Sequence, residues 1–217
     1  MLKRLRIHDD AEAVAAAAAR IVAETIRGAD RTRLALAGGS TPRRCHELLA
    51  AMPDVPWARV AIFFGDERCV PPDSPESNYR MAADTLLDRV RMGSVQRIAG
   101  ELGAEAAAAA YEPLVAAAPL DLILLGIGPD GHTASLFPGN PALDALGYVT
   151  PVHGAPKPPP DRVSLTFRAL REARRVVFLV AGEDKRDAVR QAQRGLVPAG
   201  LIANAEWLVT RDAAPSI

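Results

Sequence analysis

The chain has 217 residues, 49% of them hydrophobic and 24% charged, a composition that supplies a large core and excludes an extended disordered chain. Lys and Arg together count 26, as do Asp and Glu, so the formal net charge is zero and no basic tract favours nucleic acid or an anionic membrane. Apolar stretches stop short of a membrane span, and the N-terminal MLKRLRIHDD lacks the apolar segment of a signal peptide. With only two cysteines and no disulfide framework, the sequence predicts one cytoplasmic globular domain over residues 1–217.

Short apolar runs alternate along the chain with amphipathic or alanine-rich stretches. The runs have the composition of buried strands and the stretches have the length of helices. Asp9 or Asp10 is a candidate N-cap of the first helix, and Gly28 follows its last turn. The alternation predicts an α/β fold in which helices cover both faces of a mostly parallel sheet. The predicted strands are Leu34–Ala37, Val60–Phe64, Leu120–Ile127 and Val176–Val180, and the predicted helices are Ala11–Arg27, Pro42–Ala51, Pro75–Val90, Ala104–Ala117 and Glu183–Arg194.

A segment rich in proline and glycine, residues 128–161, interrupts this alternation. It contains GPDGHTASLFPGNP and APKPPPD, and a long loop inside a compact domain is usually functional or a linker. RVSLTF at Arg162–Phe167 resumes a strand, and too little chain follows for a separate domain. We therefore expect an ordered excursion over the edge of the sheet, where open α/β sheets bind their ligands.

The sequence LALAGGSTP, residues 34–42, places two glycines between a strand and a helix. Ser40 or Thr41 is predicted to cap the helix, with Pro42 as its first residue. Backbone N–H groups of Gly39, Ser40 and Thr41 would then face one point together with the helix dipole, which suits a phosphate group. An ordinary glycine-rich turn has the same pattern.

The sequence FFGDERCVP, residues 63–71, places charged side chains directly after a buried strand. Asp66 is a candidate acceptor for sugar hydroxyl groups, and Arg68 is a candidate partner for a phosphate or carboxylate. A solvated turn with a local ion pair is the alternative interpretation.

Gly126, Gly128 and Gly131 spell G-x-G-x-x-G after a strand, the pattern of dinucleotide-binding loops. That pattern requires a helix to begin at its end, whereas Pro138 and the residues after it stop any helix early. Asp130 would also place a negative charge against the pyrophosphate. The sequence therefore predicts no dinucleotide cofactor.

His132 lies next to a carboxylate on this constrained loop, in the sequence Asp130-Gly131-His132. An imidazole titrates near neutrality and is the usual general base, and a neighbouring carboxylate can fix its tautomer. We predict His132 and Asp130 as catalytic residues. The other histidines, His8, His46 and His153, have no such surroundings and are predicted to be structural.

Three basic residues follow at Lys157, Arg162 and Lys185. Each one alone is typical of a solvated surface charge, but together with the GGSTP turn they are candidates for holding a phosphate dianion. No set of Cys, His and carboxylate residues has the spacing of metal ligands, so no metal is predicted.

These motifs resemble the 6-phosphogluconolactonase branch of the glucosamine/galactosamine-6-phosphate isomerase superfamily. The resemblance covers most of the chain and includes AGGSTP, GDERCVPPDSPESNY, LLGIGPDGHTASLFPG, APKPPPDRVSLTF, VFLVAGEDK and AEWLV. It implies a three-layer α/β/α, Rossmann-like fold of the sugar-phosphate isomerase/deaminase type. It also implies a monomer that hydrolyses a sugar-phosphate lactone without metal or cofactor.

Two alternatives accompany this resemblance. In the deaminases of the superfamily a catalytic Glu stands where Phe137 stands here, and their DEY-type turn differs from Asp66-Glu67-Arg68-Cys69. Both departures favour lactone hydrolysis. A non-catalytic sugar-phosphate-binding module is the other alternative, but such regulators normally carry a DNA-binding segment, for which this neutral chain offers no candidate.

Overall fold

The computed structural model describes residues 4–215, and their strands form two β-sheets. In chain order the strands are β1 (Leu5–His8), β2 (Thr32–Leu36), β3 (Val60–Phe64), β4 (Asp66–Arg68), β5 (Ser94–Val95), β6 (Leu122–Leu125), β7 (Val149–Val152), β8 (Arg162–Leu165), β9 (Val176–Val180) and β10 (Glu206–Thr210). Seven strands pair in parallel in the order β1-β10-β9-β6-β2-β3-β5. The other three form an antiparallel sheet in the order β4-β8-β7.

The face of the main sheet that each helix covers follows from the direction in which the chain crosses the sheet. They are α1 (Ala11–Arg27), α2 (Ser40–Ala51), α3 (Asn78–Thr85), α4 (Ala104–Ala116), α5 (Phe167–Glu172) and α6 (Arg186–Gln193). The chain runs towards one edge from β2 to β5 and then returns through β6 towards the other edge. Because parallel crossovers are right-handed, α1 to α3 cover one face and α4 and α6 cover the other. The α/β prediction is confirmed.

The neighbouring strands β2 and β6 lead the chain in opposite directions, which makes the gap between their carboxyl ends a topological switch point. The strand β6 and the last three residues of β2, Leu34–Leu36, are apolar and buried, so the polar residues that follow the two strands emerge together at their carboxyl ends. This is the place where a doubly wound sheet binds its ligand.

Aromatic residues form part of the core of the main sheet. The rings of Phe178 and Trp207 stack with their centroids 4.0 Å apart. The hydroxyl group of buried Tyr111, on α4, accepts a hydrogen bond from the Phe64 N–H at 2.8 Å and donates one to the Phe64 carbonyl at 3.3 Å. The helix therefore holds the end of β3 in place. Within residues 4–215, no helix has the length and apolar character needed to cross a membrane.

Several predicted boundaries are wrong. The helix α2 begins at Ser40 rather than Pro42, and Gly39, at φ 110°, is its N-cap, so neither Ser40 nor Thr41 caps the helix with its side chain. The glycine supplies the left-handed backbone that the turn requires, and a side-chain cap is therefore not needed. The predicted strand at Arg162–Phe167 ends at Leu165, because the Thr166 side chain caps α5.

Two predicted helices are shorter than expected. The helix predicted over Pro75–Val90 is confined to α3, where the Ser77 side chain accepts a hydrogen bond from the Arg80 N–H and fixes the start. The helix predicted over Glu183–Arg194 begins with a 3₁₀ turn before α6.

Candidate active site

A cavity of about 300 Å³ opens at the carboxyl ends of β2, β3 and β6, at the switch point of the sheet. Of the residues predicted to form a site, Ser40, Thr41 and Asp130 do not line it. The others lie around it although they come from distant parts of the chain: Gly39, Asp66, Arg68, His132, Lys157, Arg162 and Lys185.

A tight turn after β6 presents His132 to this cavity. The N–H of Gly131 donates to the carbonyl of Gly128 at 2.9 Å, and the N–H of Gly128 donates to the carbonyl of His132 at 2.9 Å. Gly131 has φ 83°, a conformation in which L side chains are strained. No helix begins at Gly131, where a dinucleotide-binding loop would require one, and the next helical turn is the 3₁₀ turn at Pro141–Asp144.

The His132 imidazole is fixed by the carboxylate of Asp130. The distance between His132 Nδ1 and Asp130 Oδ1 is 2.5 Å. Because a carboxylate only accepts hydrogen bonds, Nδ1 carries the proton in the neutral ring, and Nε2 keeps the lone pair that a general base needs.

The imidazole is also neutral near pH 7, because burial lowers the pKa of His132 below 6.5. The hydrogen bond to Asp130 and the charge of Asp66 oppose this effect, and the charge of Lys157 adds to it. Burial alone would raise the pKa of Asp130, but the hydrogen bond and charge of His132 outweigh it, so that this pKa is lowered and the carboxylate is ionised.

Two further contacts fix the His132 ring. The Phe137 ring, which is buried, lies with its centroid 4.4 Å from that of the imidazole at an interplanar angle of 40°. On Gly128, a Cβ atom would lie only 2.1 Å from the Cε1 and Nδ1 atoms of His132. The imidazole therefore occupies the space that any side chain at residue 128 would need.

Asp66 connects the loop after β3 to the loop that carries His132. Its Oδ2 accepts a hydrogen bond from the Ser135 hydroxyl at 2.6 Å, and its Oδ1 accepts one from Asn78 Nδ2 at 3.1 Å. Asn78 in turn lies against Gly38, where a Cβ would come within 2.1 Å of Asn78 Oδ1. The buried Asp66 side chain, on β4, thus joins the start of α3 to the loop that carries His132.

Glu67, the next residue, points away from the cavity and holds the start of α3. Its carboxylate accepts hydrogen bonds from the N–H groups of Arg68, Asn78 and Tyr79 and from the Ser77 hydroxyl, all within 2.9 Å. Burial raises the pKa of Glu67, and these four donors oppose the rise. Its contacts place Asn78 at the cavity.

Four cationic side chains line the cavity. Lys157 is exposed and forms no ion pair with the residues that the structure describes, whereas Lys185 Nζ lies 2.8 Å from an Asp184 carboxylate oxygen. Arg68 is half-buried and its Nη1 donates to the carbonyl of Glu76. The positive charge of this group suits an anionic ligand.

Arg162 differs from the other three cations because it is only 5% exposed and is bonded to the proline-rich loop. Its Nε donates to the carbonyl of Pro159 at 3.1 Å, and its Nη2 donates to that of Lys157 at 2.9 Å. Its guanidinium carbon also lies 5.4 Å from the centroid of the Phe137 ring. Arg162 thus joins the loop of Lys157 to the aromatic neighbour of His132.

Sequence reasoning missed the contributions of Asn78, Ser135 and Phe137 to this site. Asn78 and Phe137 line the cavity, and Ser135 reaches it through Asp66. The SPESNY and HTASLFP segments of the quoted motifs contain all three, but the local pattern gives no sign of which side chains turn inward.

The chain matches, over residues 8–210, the family described as glucosamine-6-phosphate isomerases/6-phosphogluconolactonase. It belongs to this family. It is 41% identical to the 6-phosphogluconolactonase of Streptomyces coelicolor, with 88% of this chain and 83% of that protein aligned. It is 37% identical to the 6-phosphogluconolactonase of Mycobacterium tuberculosis, with 100% of this chain and 99% of that protein aligned.

A solved structure of the glucosamine-6-phosphate isomerase/6-phosphogluconolactonase family is also similar along almost the whole chain. It is the crystal structure of 6-phosphogluconolactonase from Thermotoga maritima, at 30% identity and a TM-score of 0.88, with 96% of this chain and 99% of that one covered. The resemblance predicted from the motifs, and the isomerase/deaminase type of fold, are therefore confirmed.

Proposed function

We propose that this protein hydrolyses 6-phospho-D-glucono-1,5-lactone to 6-phospho-D-gluconate, with His132 as the general base. The observation that carries the proposal is the His132 imidazole, held through Nδ1 by Asp130 in a cavity lined by four cations. The relatives from Streptomyces coelicolor and Mycobacterium tuberculosis, both named 6-phosphogluconolactonase, support the same activity.

The reaction begins when His132 Nε2 takes a proton from water as the water oxygen bonds to C1 of the lactone. The resulting imidazolium is stabilised by the Asp130 carboxylate at Nδ1. The tetrahedral intermediate then collapses with cleavage of the bond between C1 and the ring oxygen, and His132 returns its proton to that oxygen. The products are a carboxylic acid at C1 and a hydroxyl group at C5, and the enzyme is unchanged.

The cationic residues Arg68, Lys157 and Lys185 bind the phosphate group of the substrate in this proposal, together with the backbone N–H group of Gly39. They lie around the same cavity as His132, so a bound phosphate fixes the distance between C1 and the imidazole. Arg162 contributes chiefly by holding the carbonyls of the loop that carries Lys157. Asp66 is positioned to accept a hydrogen bond from a sugar hydroxyl.

The rate enhancement that these residues can supply is sufficient for this reaction. A positioned general base contributes roughly 10²–10⁴-fold, and orientation through the phosphate adds several kcal/mol. Ser135 is not a nucleophile here, because its hydroxyl is buried and donates to Asp66. We also propose that the protein is a monomer, as the resemblance to the 6-phosphogluconolactonase branch implies.

The test is consumption of lactone generated in place from glucose 6-phosphate and its dehydrogenase, with the uncatalysed rate as background. We expect acceleration for the phosphorylated lactone and a far smaller one for unphosphorylated gluconolactone. A rate equal to the background, or ammonium release from glucosamine 6-phosphate instead, would overturn the proposal. Binding of 6-phosphogluconate without turnover would establish the non-catalytic alternative.

A further inference from the structure

A second cavity, of about 580 Å³, lies at the amino ends of the strands of the main sheet, opposite the catalytic cavity. It is lined by residues at or just before the amino ends of β2, β3, β5 and β6, among them Thr32, Val60, Ser94 and Asp121. The catalytic cavity lies at the carboxyl ends of three of the same strands. The body of the sheet therefore separates the two cavities.

Positive charge dominates this second cavity although the chain as a whole is neutral. Four arginines line it, Arg31, Arg33, Arg59 and Arg174, against a single acidic residue, Asp121. The Asp121 carboxylate is already occupied, since it accepts the Arg33 N–H at 2.8 Å and lies 3.4 Å from Arg174 Nε. The side chains of Arg31 and Arg59 make no ion pair or hydrogen bond within residues 4–215.

Two buried polar groups beside these arginines have no hydrogen-bond partner among the residues that the structure describes. Thr32 is 1% exposed, and its hydroxyl group has no hydrogen-bond partner in the described part of the chain. The same holds for the buried Nε of Arg33, whose Nη2 donates to the carbonyl of Leu114 at 2.7 Å. Burial lowers the pKa of Arg33, and the charge of Asp121 opposes this effect.

We propose that this cavity is a second anion site, which binds a small phosphate-bearing molecule at the amino ends of the strands. Guanidinium groups bind phosphate oxygens in pairs of parallel hydrogen bonds, and the side-chain N–H donors of Arg31 and Arg59 are available for such bonds. The volume lies within the range of small-molecule sites. This inference does not depend on the proposed function.

Inorganic pyrophosphate is the probe, and isothermal titration calorimetry is the measurement. The catalytic cavity also attracts anions, so the titration is made in a protein that carries Arg68→Gln, Lys157→Gln and Lys185→Gln, in which that cavity has lost the three cations proposed to bind phosphate. Adding Arg31→Gln and Arg59→Gln to this protein should weaken the remaining pyrophosphate binding by about tenfold or more, since the two substitutions remove charge-assisted hydrogen bonds to the phosphate oxygens.

Arg194→Gln is the matched control, because Arg194 is an exposed arginine at the end of α6 and lies outside the cavity. It should leave pyrophosphate binding unchanged. In the wild-type background, Arg31→Gln with Arg59→Gln should leave the kcat for lactone hydrolysis unchanged, and circular dichroism checks that the variants are folded.

The inference is overturned if the protein with Arg68→Gln, Lys157→Gln and Lys185→Gln binds no pyrophosphate, or if the Arg31 and Arg59 substitutions leave its affinity as it was. Nucleoside diphosphate and 6-phosphogluconate, titrated in the same way, distinguish the sources of the phosphate group. Whichever binds more tightly should show the same dependence on Arg31 and Arg59.

Discussion

Adding a methyl group at Gly128 tests how closely catalysis depends on the position of the imidazole. A Cβ atom at this position would lie 2.1 Å from His132 Cε1 and Nδ1 and 2.5 Å from Asp130 Oδ1. Carbon atoms in contact are normally about 3.5–4.0 Å apart, so the ring must move by roughly 1.5 Å. A displacement of this size at a reacting group costs on the order of 10²-fold in rate. We therefore expect Gly128→Ala to lower kcat for lactone hydrolysis about 10²-fold.

Gly126→Ala is the matched control, because it lies in the same loop and a Cβ there meets no atom within 4 Å. Gly126 also borders the cavity, so this control adds a methyl group near the substrate without displacing His132. It should keep kcat within a factor of a few. The assay is steady-state lactone hydrolysis, and thermal unfolding establishes that both variants are folded. If Gly128→Ala retains the kcat of Gly126→Ala, the imidazole is not positioned as described.

Three further predictions concern the pH profile, the phosphate group and stability. Because burial lowers the pKa of His132, kcat/KM should stay high as the pH is lowered from 8 to 6.5 and should fall only at pH values below 6.5. Asp130→Asn removes a group that raises this pKa, so it should move the acid limb of the profile to lower pH and reduce the plateau value of kcat/KM. An acid limb above pH 6.5 in the wild-type protein would contradict the neutral base. Lys157→Ala should raise KM for the phosphorylated lactone and leave unphosphorylated gluconolactone unaffected, and equal effects on both would remove Lys157 from the phosphate site. Tyr111→Phe should lower the free energy of unfolding by about 1–3 kcal/mol in urea denaturation, since it leaves the buried N–H of Phe64 without its acceptor, and no loss would show that this bond is not needed.

Periodicity predicted four strands of the main sheet, β2, β3, β6 and β9, because each contains a continuous apolar run, and it missed β1, β5 and β10. The strand predicted at Val60–Phe64 and the helix predicted at Ala11–Arg27 have the observed bounds, and Asp10 is the N-cap. The antiparallel sheet was missed because β4 is only three polar residues, Asp66–Arg68, and pairs with a strand far along the chain. A local pattern carries no information about such a partner.

The site was predictable to the extent that its residues follow strands directly. Asp66 and His132 were found because polar residues after buried strands meet at one edge of a parallel sheet. Ser40 and Thr41 were placed with the anion site from the same rule, but their helix begins earlier and only Gly39 of the three lines the cavity. The carbonyl contacts of Arg162 depend on how the loop at 157–160 folds, which no spacing in the sequence specifies.

The most direct test of the proposed mechanism is the kcat of His132→Gln, measured with 6-phosphogluconate affinity in the same preparation. Glutamine fills much of the same space but cannot accept a proton from water near neutral pH. We predict a kcat lower by about 10²–10⁴-fold with product affinity nearly unchanged. A His132→Gln protein that hydrolyses the lactone at the wild-type rate would contradict the assignment of His132 as the general base.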